Sequence, residues 1–508
     1  MVTHNSPASD SKRMLHAAQQ VLPAAAALFV FATMADAQGT RAHLSNDLQR
    51  HIDAGDASAA TVIFSGTQEQ VAAIAARHGL RVRRALTSGA VLEVPAGGLD
   101  ALASDPAVSQ LSGDHVTHGA MSVTDSAIGA DQVWDAASGL GRGSNGAAAG
   151  ITGKGIGVAI LDSGVTVVPE LRGQVSARVD MIDPRGNGAD VWGHGTHLAG
   201  IIAGAGAVET SGRGVAPGAH LVSVKVLGAD GSGHISDLVE GIDWVIANRH
   251  RYQIDVINLS LGAPVEQSWR DDPVCQAIER AWRVNIVTSV AAGNFGKTAD
   301  GTEVLGGVTS PGNWPYAITA GTVNTKGTPF RSDDVIATYS SRGPTQIDGL
   351  LKPDLLAPGN KVRSLLAPNA VIAREHPEKV VGSGADARLE LSGTSMSSAV
   401  VAGAAALLLE ETRRSNPETV RALLQLGAEH LDGLGIVQQG AGSLNVMASL
   451  AIAQTGNANL ETSVAGESIA TGGIAFEAAA IEGDHLTWGD HLTWGDHLTW
   501  GDHLTWGD

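Results

Sequence analysis

The sequence predicts an α/β protein whose main domain has a parallel sheet flanked by helices, preceded by a small α+β domain. Three observations support this prediction. Between about residues 122 and 453, apolar strand-like segments alternate with helical segments, which is typical of a parallel sheet covered on both faces. Residues 60–116 instead follow the order β-α-β-β-α-β. The chain of 508 residues is 43% hydrophobic and 17% charged, so it can bury a large core.

The small domain shows a change of hydrophobic period at each predicted element. The predicted helix 68–78 has Val71 and Ile74 on one face, and Gly79 follows it as a C-terminal stop. The segments before and after this helix have the residue types of strands. The other predicted elements are strands at 61–64, 80–86, 90–94 and 107–111 and a short helix at 98–103.

The larger domain has short predicted strands that are almost wholly apolar. Strands buried on both faces lack the alternation with polar residues that half-exposed strands show. A predicted helix at 237–248 and an apolar, small-residue helix at 400–409 would cover the sheet. The predicted strands lie at 157–161, 221–224, 256–259 and 286–289.

Charge and cysteine content exclude two classes of protein. The chain has 52 acidic and 33 basic residues, whereas a nucleic-acid binder needs Lys and Arg against phosphate. Cys275 is the single cysteine, so neither an intramolecular disulfide nor a cysteine-based zinc site can form. We therefore expect no nucleic-acid partner.

The N-terminus has the features of an export signal. Lys12 and Arg13 precede an apolar run at 21–34, which is followed by Ala-Asp-Ala at 35–37, a small-x-small cleavage signature. A buried amphipathic helix is the alternative. No later stretch has 18 uninterrupted apolar residues, so we expect no transmembrane segment in the mature chain. The prediction is a signal peptide at 1–37 and an exported protein, either secreted, periplasmic or at the cell surface.

The C-terminal end differs in composition from the rest of the chain. Eleven acidic residues and no Lys or Arg follow Arg421. We expect an acidic linker at 456–484 and a tail at 485–508 made of four copies of His-Leu-Thr-Trp-Gly-Asp. Such a tail can be a loosely docked appendage or a surface for docking or self-association. Metal binding by its histidines is disfavoured, because a six-residue spacing matches no usual ligand pattern.

Two candidate catalytic side chains lie in the first half of the larger domain. Asp162 ends a predicted strand, and the carboxyl ends of parallel strands face the ligand crevice of such a sheet. An Asp there can also be a turn former or a helix cap. His194 lies between Gly193 and Gly195, which let a substrate approach the ring of a general base. A buried structural imidazole is the alternative, and it describes His197 better.

Two further candidates lie in the second half. Ser395 precedes the predicted small-residue helix, where a serine is commonly an N-cap but where backbone N–H groups can also stabilise an oxyanion. Asn294 follows a predicted strand and offers an uncharged amide donor beside Gly293. A turn asparagine is the alternative.

The ordered set of these motifs resembles the subtilisin-like serine peptidases. The Asp, His, Ser order is that of subtilisin and differs from two other triad orders. The resemblance covers about residues 122–453, and it implies that Ser395 is the nucleophile, His194 the base, Asp162 its orienter and Asn294 an oxyanion donor. The shared motifs are Asp-Ser-Gly at 162–164, Gly-His-Gly-Thr-His at 193–197, Val-Lys-Val-Leu at 224–227, Asn-Leu-Ser-Leu-Gly at 258–262, Ala-Ala-Gly-Asn at 291–294, Ser-Ser-Arg-Gly-Pro at 340–344, Lys-Pro-Asp at 352–354, Ala-Pro-Gly at 357–359 and Gly-Thr-Ser-Met at 393–396.

The resemblance also implies the domain organisation. Residues 60–121 resemble an inhibitory, ferredoxin-like propeptide, after a linker at 38–59 and before a peptidase domain at 122–455. Self-cleavage is expected between about Gly119 and Ser122. A permanent accessory domain is the alternative reading of 60–121.

The substrate-binding residues follow from the resemblance as well. Extended peptides are expected to pair with Ser260, Leu261 and Gly262. The primary specificity pocket is expected to lie between this segment and a second wall formed by Ala291, Ala292 and Gly293. Because neither segment is charged, we expect a neutral residue, apolar or of medium size, before the scissile bond.

The expected activity is that of a serine endopeptidase that acts on polypeptides through an acyl-enzyme, with its own propeptide as an intramolecular inhibitor. No cofactor is required for this chemistry. Structural calcium is possible, but the loop 203–214 has only Glu209 as a charged ligand. Two rival functions remain open from the sequence: a non-catalytic binding protein that keeps the fold as a scaffold, and a dedicated processing peptidase guided by its tail.

Overall fold

The computed structural model describes residues 41–53, 55–114, 116–119, 125–135, 140–142, 148–205 and 213–477, and three short segments, 487–488, 492–494 and 504–505. The predicted signal segment 1–37, residues 120–124 of the expected cleavage region, and most of the repeat tail lie outside the described residues. Among the residues that are described, no helix is both long and apolar enough to cross a membrane.

The N-terminal domain contains the predicted β-α-β-β-α-β order, and a further strand and helix from residues 43–53 extend it to a five-stranded sheet with three helices. Thr67 begins the longest of these helices with a capping box in which Gln70 is the second partner. The helix ends at Gly79, whose φ of 62° is left-handed. The strands, in spatial order, are His43–Leu44, Gln110–Gly113, Ala60–Ser65, Gly89–Val94 and Arg81–Leu86; the helices are Asn46–Asp53, Gln68–His78 and Leu99–Ala103.

Two segments that the sequence suggested were linkers contain regular structure. Strand His43–Leu44 pairs in parallel with the strand at 110–113, and helix Asn46–Asp53 follows it. In the expected acidic linker, a hairpin forms from Glu461–Val464 and Glu467–Ala470, and Ile474–Phe476 is a further strand. Each segment buries apolar side chains, such as Leu44, Leu48 and Phe476, that a composition-based reading overlooks.

The central sheet of the larger domain is parallel except for one short edge strand, which confirms the predicted fold class. Its inner strands Gly157–Asp162, Ile254–Leu259 and Val287–Ala291 are buried along almost their whole length, and this burial on both faces accounts for their apolar sequences. The edge strand Val335–Ile336 pairs antiparallel with its neighbour. In spatial order the strands are Val175–Asp180, His220–Lys225, Gly157–Asp162, Ile254–Leu259, Val287–Ala291, Ile318–Asn324 and Val335–Ile336, with Leu355–Pro358 also paired to Ile318–Asn324.

Helices cover both faces of the central sheet. The longest, Thr394–Glu411 (the buried helix), is buried from Thr394 to Leu409 and packs against five strands of the central sheet and against helix His194–Ala203 (the histidine helix). Its small side chains permit this close approach, because Ala, Ser and Gly keep helix and sheet backbones near one another. The other helices are Ala130–Val133, Ile235–Asn248, Pro273–Trp282, Val371–Glu375, Pro417–Gly427, Ile436–Gln439 and Val446–Thr455.

The remaining described strands form small sheets at the periphery, and 3₁₀ turns connect the larger elements. One three-stranded antiparallel sheet joins the N-terminal region to the larger domain through Val116–Gly119. The other elements are strands Gly141–Arg142, Ala148–Ala149, Ser232–His234, Leu261–Gly262, Val362–Leu365, Val380–Val381, Arg388–Leu391, Thr487–Trp488, Leu492–Trp494 and Leu504–Thr505, and turns Ser126–Ile128, Pro169–Leu171, Pro377–Lys379 and Gly384–Asp386.

Candidate active site

Asp162 and His194 form a buried hydrogen-bonded pair at the carboxyl edge of the central sheet. Asp162 is the last residue of its strand, and its Oδ1 lies 2.6 Å from His194 Nδ1. Both side chains are fully buried. The backbone N–H of Ser163 also donates to Asp162 Oδ1, at 2.7 Å. Asp162 Oδ2 has no hydrogen-bond partner among the described residues. This geometry holds the imidazole with Nδ1 toward the carboxylate.

Glycine is required on each side of His194 for a different structural reason. Gly193 precedes the histidine helix with a φ of 105°, a left-handed conformation that favours glycine. A Cβ on Gly195 would lie 2.1 Å from the carbonyl oxygen of Gly164, so only glycine fits there. Together they let the helix begin against the end of the Asp162 strand.

Asp190 is a buried carboxylate near His194 that the sequence reasoning missed. Its oxygens accept the backbone N–H of Gly193 at 2.7 Å and of Thr196 at 2.8 Å. The Ser163 hydroxyl lies 2.8 Å from Asp190 Oδ1 and 3.1 Å from Asp162 Oδ1, so it links the two carboxylates. Burial raises the pKa of Asp190. An Asp shortly before a helix is a capping signal, and this signal could have identified Asp190.

Lys225 lies on the neighbouring strand, directly opposite Asp162 in the sheet register. Its ammonium donates to the carbonyl oxygens of Ser163 at 2.6 Å and of Leu227 at 2.9 Å. Burial lowers the pKa of Lys225. The lysine of the Val-Lys-Val-Leu motif therefore anchors the turn that follows Asp162.

Ser395 lies in the first turn of the buried helix, not before it. The helix begins at Thr394 and its N-cap is Gly393, so the sequence-based helix start at residue 400 and the N-cap alternative for Ser395 are both wrong. Ser395 Oγ donates to the carbonyl oxygen of Ser260 at 2.8 Å, and Ser260 Oγ donates to the carbonyl oxygen of Ser395 at 2.6 Å. These reciprocal bonds tie the helix start to the end of strand Ile254–Leu259.

Asn294 is oriented by the residue before Ser395. Its Oδ1 accepts the Thr394 N–H at 3.0 Å and lies 3.3 Å from Thr394 Oγ1. The N–H of Gly293 in turn donates to Thr394 Oγ1 at 3.0 Å. Because the amide oxygen is engaged with Thr394, the amide NH₂ of Asn294 is the group that a substrate oxygen would meet. Thr394 therefore brings Asn294 and Ser395 into one local arrangement.

The expected peptide-binding strand is paired with another segment of the same chain. Val116–Gly119 lies between strands Ser232–His234 and Leu261–Gly262, antiparallel to both. Gly119 pairs with Leu261, and the residue before it in the chain pairs with Gly262. An extended segment of this chain is therefore paired beside Leu261 and Gly262 as an added strand.

The other predicted wall, Ala291, Ala292 and Gly293, follows the next central strand. Ala291 ends strand Val287–Ala291, and both alanines are buried. Gly293 has a φ of 105°. Asn294 comes directly after it, so this wall and the oxyanion candidate share one turn of the chain.

His197 lies on the histidine helix, one turn beyond His194. It is fully buried, and its Nε2 lies 3.0 Å from the carbonyl oxygen of Leu389. Burial, with the nearby His194 as a smaller cause, lowers the pKa of His197 to about 3. This imidazole is neutral at ordinary pH.

The surroundings of the loop 203–214 contain few groups that could bind a metal ion among the described residues. Among the described residues, no three or more His, Cys, Asp or Glu side chains are grouped to hold a metal ion. Residues 206–212, which include Glu209, lie outside the described part. Glu170, whose carbonyl accepts the Ala205 N–H, has its carboxylate 2.9 Å from the guanidinium of Arg388. The described residues here do not fit a calcium site, and calcium dependence stays a prediction.

Comparison with known proteins places most of the larger domain in one family. Residues 153–469 match the model of the subtilase family. The chain is 38% identical over 302 residues to serine protease AprX of Bacillus subtilis, a match that covers 58% of this chain and 66% of AprX. It is 33% identical over 354 residues to subtilisin E of the same species, covering 68% of this chain and 77% of that protein. An alkaline protease of Shouchella clausii is 32% identical over 356 residues, with the same two coverages.

Proposed function

Because this chain belongs to the subtilase family and is a serine-type endopeptidase, we propose that Asp162, His194 and Ser395 act together as its catalytic triad. The observation that carries the proposal is the 2.6 Å contact between the buried Asp162 and His194 side chains. A carboxylate in this position fixes the ring orientation of a general base and stabilises the imidazolium that forms.

The proposed reaction is two-step acyl transfer. His194 takes the hydroxyl proton of Ser395 at Nε2 while Ser395 Oγ bonds to the peptide carbonyl carbon, and Asp162 keeps the Nδ1 proton in place. His194 then gives its proton to the amine nitrogen as the peptide C–N bond breaks. Water repeats the sequence on the ester: His194 takes a proton from water, and the acid product leaves as that proton returns to Ser395.

Asn294 is proposed to stabilise the negative charge on the carbonyl oxygen, together with the backbone N–H of Ser395. The first turn of a helix directs its N–H groups toward ligands and carries the positive end of the helix dipole. Thr394 supports this role because it fixes the amide oxygen of Asn294, at 3.0 Å from its own N–H. These side-chain and backbone groups supply nucleophile, base and oxyanion donors, so we propose that the chemistry needs no cofactor.

The enzyme is also proposed to be an exported precursor that its own N-terminal domain inhibits. The signal-like sequence at 1–37 supports export. Strand Val116–Gly119 supports inhibition, since it occupies the position where a substrate strand would pair with Leu261 and Gly262. Removal of the domain by self-cleavage would open this position to polypeptide substrates.

The surface between the N-terminal domain and the larger domain supports the inhibitory role. Ile63, Leu86 and Val91 of the small sheet belong to the same buried cluster as Leu238 and Val239 of helix Ile235–Asn248. The domain therefore covers apolar surface of the peptidase.

Polar contacts extend this surface at the start of the same helix. Asp114 accepts from the N–H of Ser236 at 3.2 Å and from its hydroxyl at 3.3 Å, which caps the helix from the other domain. Arg84 pairs with Asp237, and its guanidinium lies 3.4 Å from Glu240. The domain thus supplies the N-terminal capping that the helix does not obtain from the side chain of its own N-cap, His234.

The test compares the full-length precursor with its Ser395→Ala variant. We expect a serine-directed fluorophosphonate to label only the wild type, and we expect intact mass to show loss of about 120 residues only there, since self-cleavage is expected near Gly119. A wild-type protein that is folded, unlabelled and inactive on peptides would instead support the non-catalytic scaffold. Deletion of 485–508 should leave cleavage of generic peptides unchanged; a loss confined to a native substrate would support the processing peptidase guided by its tail.

A further inference from the structure

The first turn of the histidine helix is capped by side chains that lie outside the helix. Its N-cap is Gly193, which has no side chain to accept the free N–H groups of that turn. The carboxylate of Asp190 accepts the N–H of Gly193 at 2.7 Å and of Thr196 at 2.8 Å. The hydroxyl oxygen of Ser163 accepts the Gly195 N–H at 2.9 Å. These two side chains therefore hold the backbone on both sides of the proposed base.

Ser163 also joins this cap to the carboxylate that orients the base. Its hydroxyl lies 2.8 Å from Asp190 Oδ1 and 3.1 Å from Asp162 Oδ1, and its backbone N–H donates to the same Asp162 oxygen at 2.7 Å. A hydroxyl has one proton, so it donates to one carboxylate at a time, and the shorter distance favours Asp190. A displacement of Asp190 would therefore move the turn that orients Asp162.

The contacts of Asp190 are those of an ionised carboxylate. An ionised carboxylate only accepts hydrogen bonds, and the oxygens of Asp190 meet two backbone N–H groups and the Ser163 hydroxyl. The residue is 3% exposed. Burial raises the pKa of Asp190, and the hydrogen bonds that it accepts oppose this rise. The geometry therefore favours a buried negative charge at the start of the histidine helix.

A helix start is an unfavourable place for the imidazolium that the proposed reaction forms. His194 is the first residue of its helix, where the free N–H groups carry the positive end of the helix dipole. A second positive charge there requires carboxylates that offset it. Asp162 meets the ring at 2.6 Å, and Asp190 places a further carboxylate at the same end of the helix.

Lys225 offsets part of the negative charge near the proposed base. Burial lowers the pKa of Lys225, and three nearby carboxylates oppose this change, those of Asp190, Asp180 and Asp162. His197, one turn along the histidine helix, has a pKa lowered to about 3 and is neutral. The carboxylates at the helix start therefore face one ammonium and no second imidazolium.

The other charged or titratable groups on elements packed against the histidine helix have partners of their own. The buried helix has no charged residue from Thr394 to Leu409. The remaining pairs are Glu410 with the backbone N–H groups of 152–154, Glu411 with Gln454, Glu170 with Arg388, Arg363 with Glu390, and His220 with the carbonyl oxygen of Tyr252. Among the described residues, Asp162 and Asp190 are thus the carboxylates bonded to the start of this helix.

We propose that Asp190 is a positioning residue of this peptidase, which holds the start of the histidine helix directly, holds Asp162 through Ser163, and stabilises the imidazolium of His194 with its charge. This inference rests on the proposed triad. No bond to a reacting atom is assigned to Asp190, and its effect on the reaction is exerted through Asp162 and His194.

The first test is Asp190→Asn, which keeps the size of the side chain and removes its charge. The kcat on a peptide substrate should fall about 10–100-fold, while KM changes less than about threefold, because the imidazolium forms only in the transition state. The acid limb of the kcat/KM profile reports the protonation of His194 in the free enzyme. We expect this limb to lie about 1 pH unit lower, because the imidazolium loses a stabilising charge.

Asp180→Asn is the matched control for the loss of a carboxylate. The charge of Asp180 also acts on Lys225, but its Oδ1 accepts the N–H groups of Ile182 and Asp183 in its own turn. The kcat of this variant should stay within about threefold of wild type, and its acid limb within about 0.3 pH unit, because water and salt screen a less buried charge. Equal shifts in Asp180→Asn and Asp190→Asn overturn the proposal, since net charge alone would then be responsible.

Ser163→Ala separates position from charge. It breaks the link between the two carboxylates but leaves the charge of Asp190 in place, so kcat should fall about 10-fold without a move of the acid limb to lower pH. This variant also decides the matter if Asp190→Asn does not fold. A kcat for Ser163→Ala equal to that of wild type overturns the proposal, because the link would then be dispensable.

Titration with a serine-directed fluorophosphonate distinguishes failure of this inference from failure of the proposed function. All rates are measured on the processed enzyme and expressed per labelled serine, so unfolded protein is not counted. If the wild type is labelled and active while Asp190→Asn keeps the wild-type kcat and pH profile, only the role of Asp190 is overturned. If the folded wild type is neither labelled nor active, the peptidase function fails, and this inference fails with it.

Discussion

The catalytic edge of the central sheet and the surface under the N-terminal domain are both rich in carboxylates, but they are built differently. Asp162, Asp190 and His194 are almost completely buried and linked by short hydrogen bonds. At the other surface, Arg84 and Glu240 keep 30% and 46% of their side chains exposed. The groups at the catalytic edge are thus fixed by buried polar contacts, whereas the N-terminal domain, which we propose is removed, is held by apolar packing, by the buried carboxylates of Asp114 and Asp237, and by ion-pair partners that water partly reaches.

The physical basis of this difference is the cost of breaking each kind of contact. Removing one partner of a buried polar pair leaves the other without solvation, which costs several kcal/mol. Ion pairs that water reaches contribute about 0–1 kcal/mol and are screened by salt. We therefore expect substitutions at the catalytic edge to abolish activity, and substitutions at the ion pairs under the N-terminal domain only to weaken its binding.

The largest effect is expected for Ser395→Ala. Without the nucleophile no acyl-enzyme forms, so kcat on a peptide substrate should fall by about 10⁶-fold. The matched control is Ser397→Ala, which removes a buried hydroxyl two residues away that donates to the carbonyl oxygen of Ala357 at 2.9 Å. Its kcat should stay within about tenfold of wild type, because no role in the chemistry is assigned to it. Equal losses in the two variants would mean that helix packing, and not the nucleophile, is being measured.

Asn294→Ala is expected to have the second-largest effect. Loss of one oxyanion donor lowers kcat by about 10²–10³-fold, while KM changes little because the charge exists only in the transition state. Steady-state kinetics on one peptide give both constants. A variant that loses affinity but keeps kcat would place Asn294 in ground-state binding instead.

The buried His197 should make the stability of the folded protein sensitive to acid. The pKa of this imidazole is lowered from 6.5 to about 3 in the folded protein, so between those values the unfolded chain binds more protons. The free energy of unfolding should therefore fall as the pH drops through this window, by up to about 1.4 kcal/mol per pH unit.

His197→Gln tests this dependence, because glutamine cannot take up the proton. Urea unfolding at several pH values between 6.5 and 4 should give a flatter pH profile for this variant than for wild type. His250→Gln, at an exposed position, is the control and should retain the wild-type slope. Parallel profiles for His197→Gln and wild type would show that another group causes the acid sensitivity.

The smallest effect is expected at the surface between the N-terminal domain and the larger domain, where we propose that the domain inhibits the enzyme. Arg84→Ala removes the pairs with Asp237 and Glu240 and should weaken inhibition by the N-terminal domain, added separately, by roughly 2–10-fold. Arg81→Ala is the matched control, because Arg81 pairs with Glu93 inside the same domain. Raising the salt concentration should reduce the Arg84 effect. An unchanged inhibition constant in both variants would leave apolar packing as the only source of affinity.

The elements of the central sheet could be predicted because their signals are local. Strands such as Gly157–Asp162 are continuous apolar runs, and burial on both faces requires that pattern. Strand His43–Leu44 and hairpin 461–470 were missed because they are short and partly polar. Strand His43–Leu44 is stabilised by pairing with Gln110–Gly113, far away in the chain, which no local window contains. The two hairpin strands pair with each other, and Val464 and Ile469 are buried.

The start of the buried helix at Thr394 is a further feature that the local sequence does not predict. Thr, Ser, Met and Ser at 394–397 have no strong helical pattern, so the sequence placed the helix later. The fold nevertheless extends the helix back to Thr394, where Asn294 accepts its N–H. The helix thus begins at a contact with a residue 100 positions away in the chain.

The sequence by itself determined the α/β class, the order of the motifs and the identity of the candidate side chains, because hydrophobic period and residue chemistry are local properties. Only the tertiary structure decided which partners these groups meet: Asp162 with His194, Ser395 with Ser260, and Asn294 with Thr394. Those contacts join residues separated by 32 to 135 positions. Their geometry depends on the packing of whole strands and helices, and this packing is a property of the entire chain.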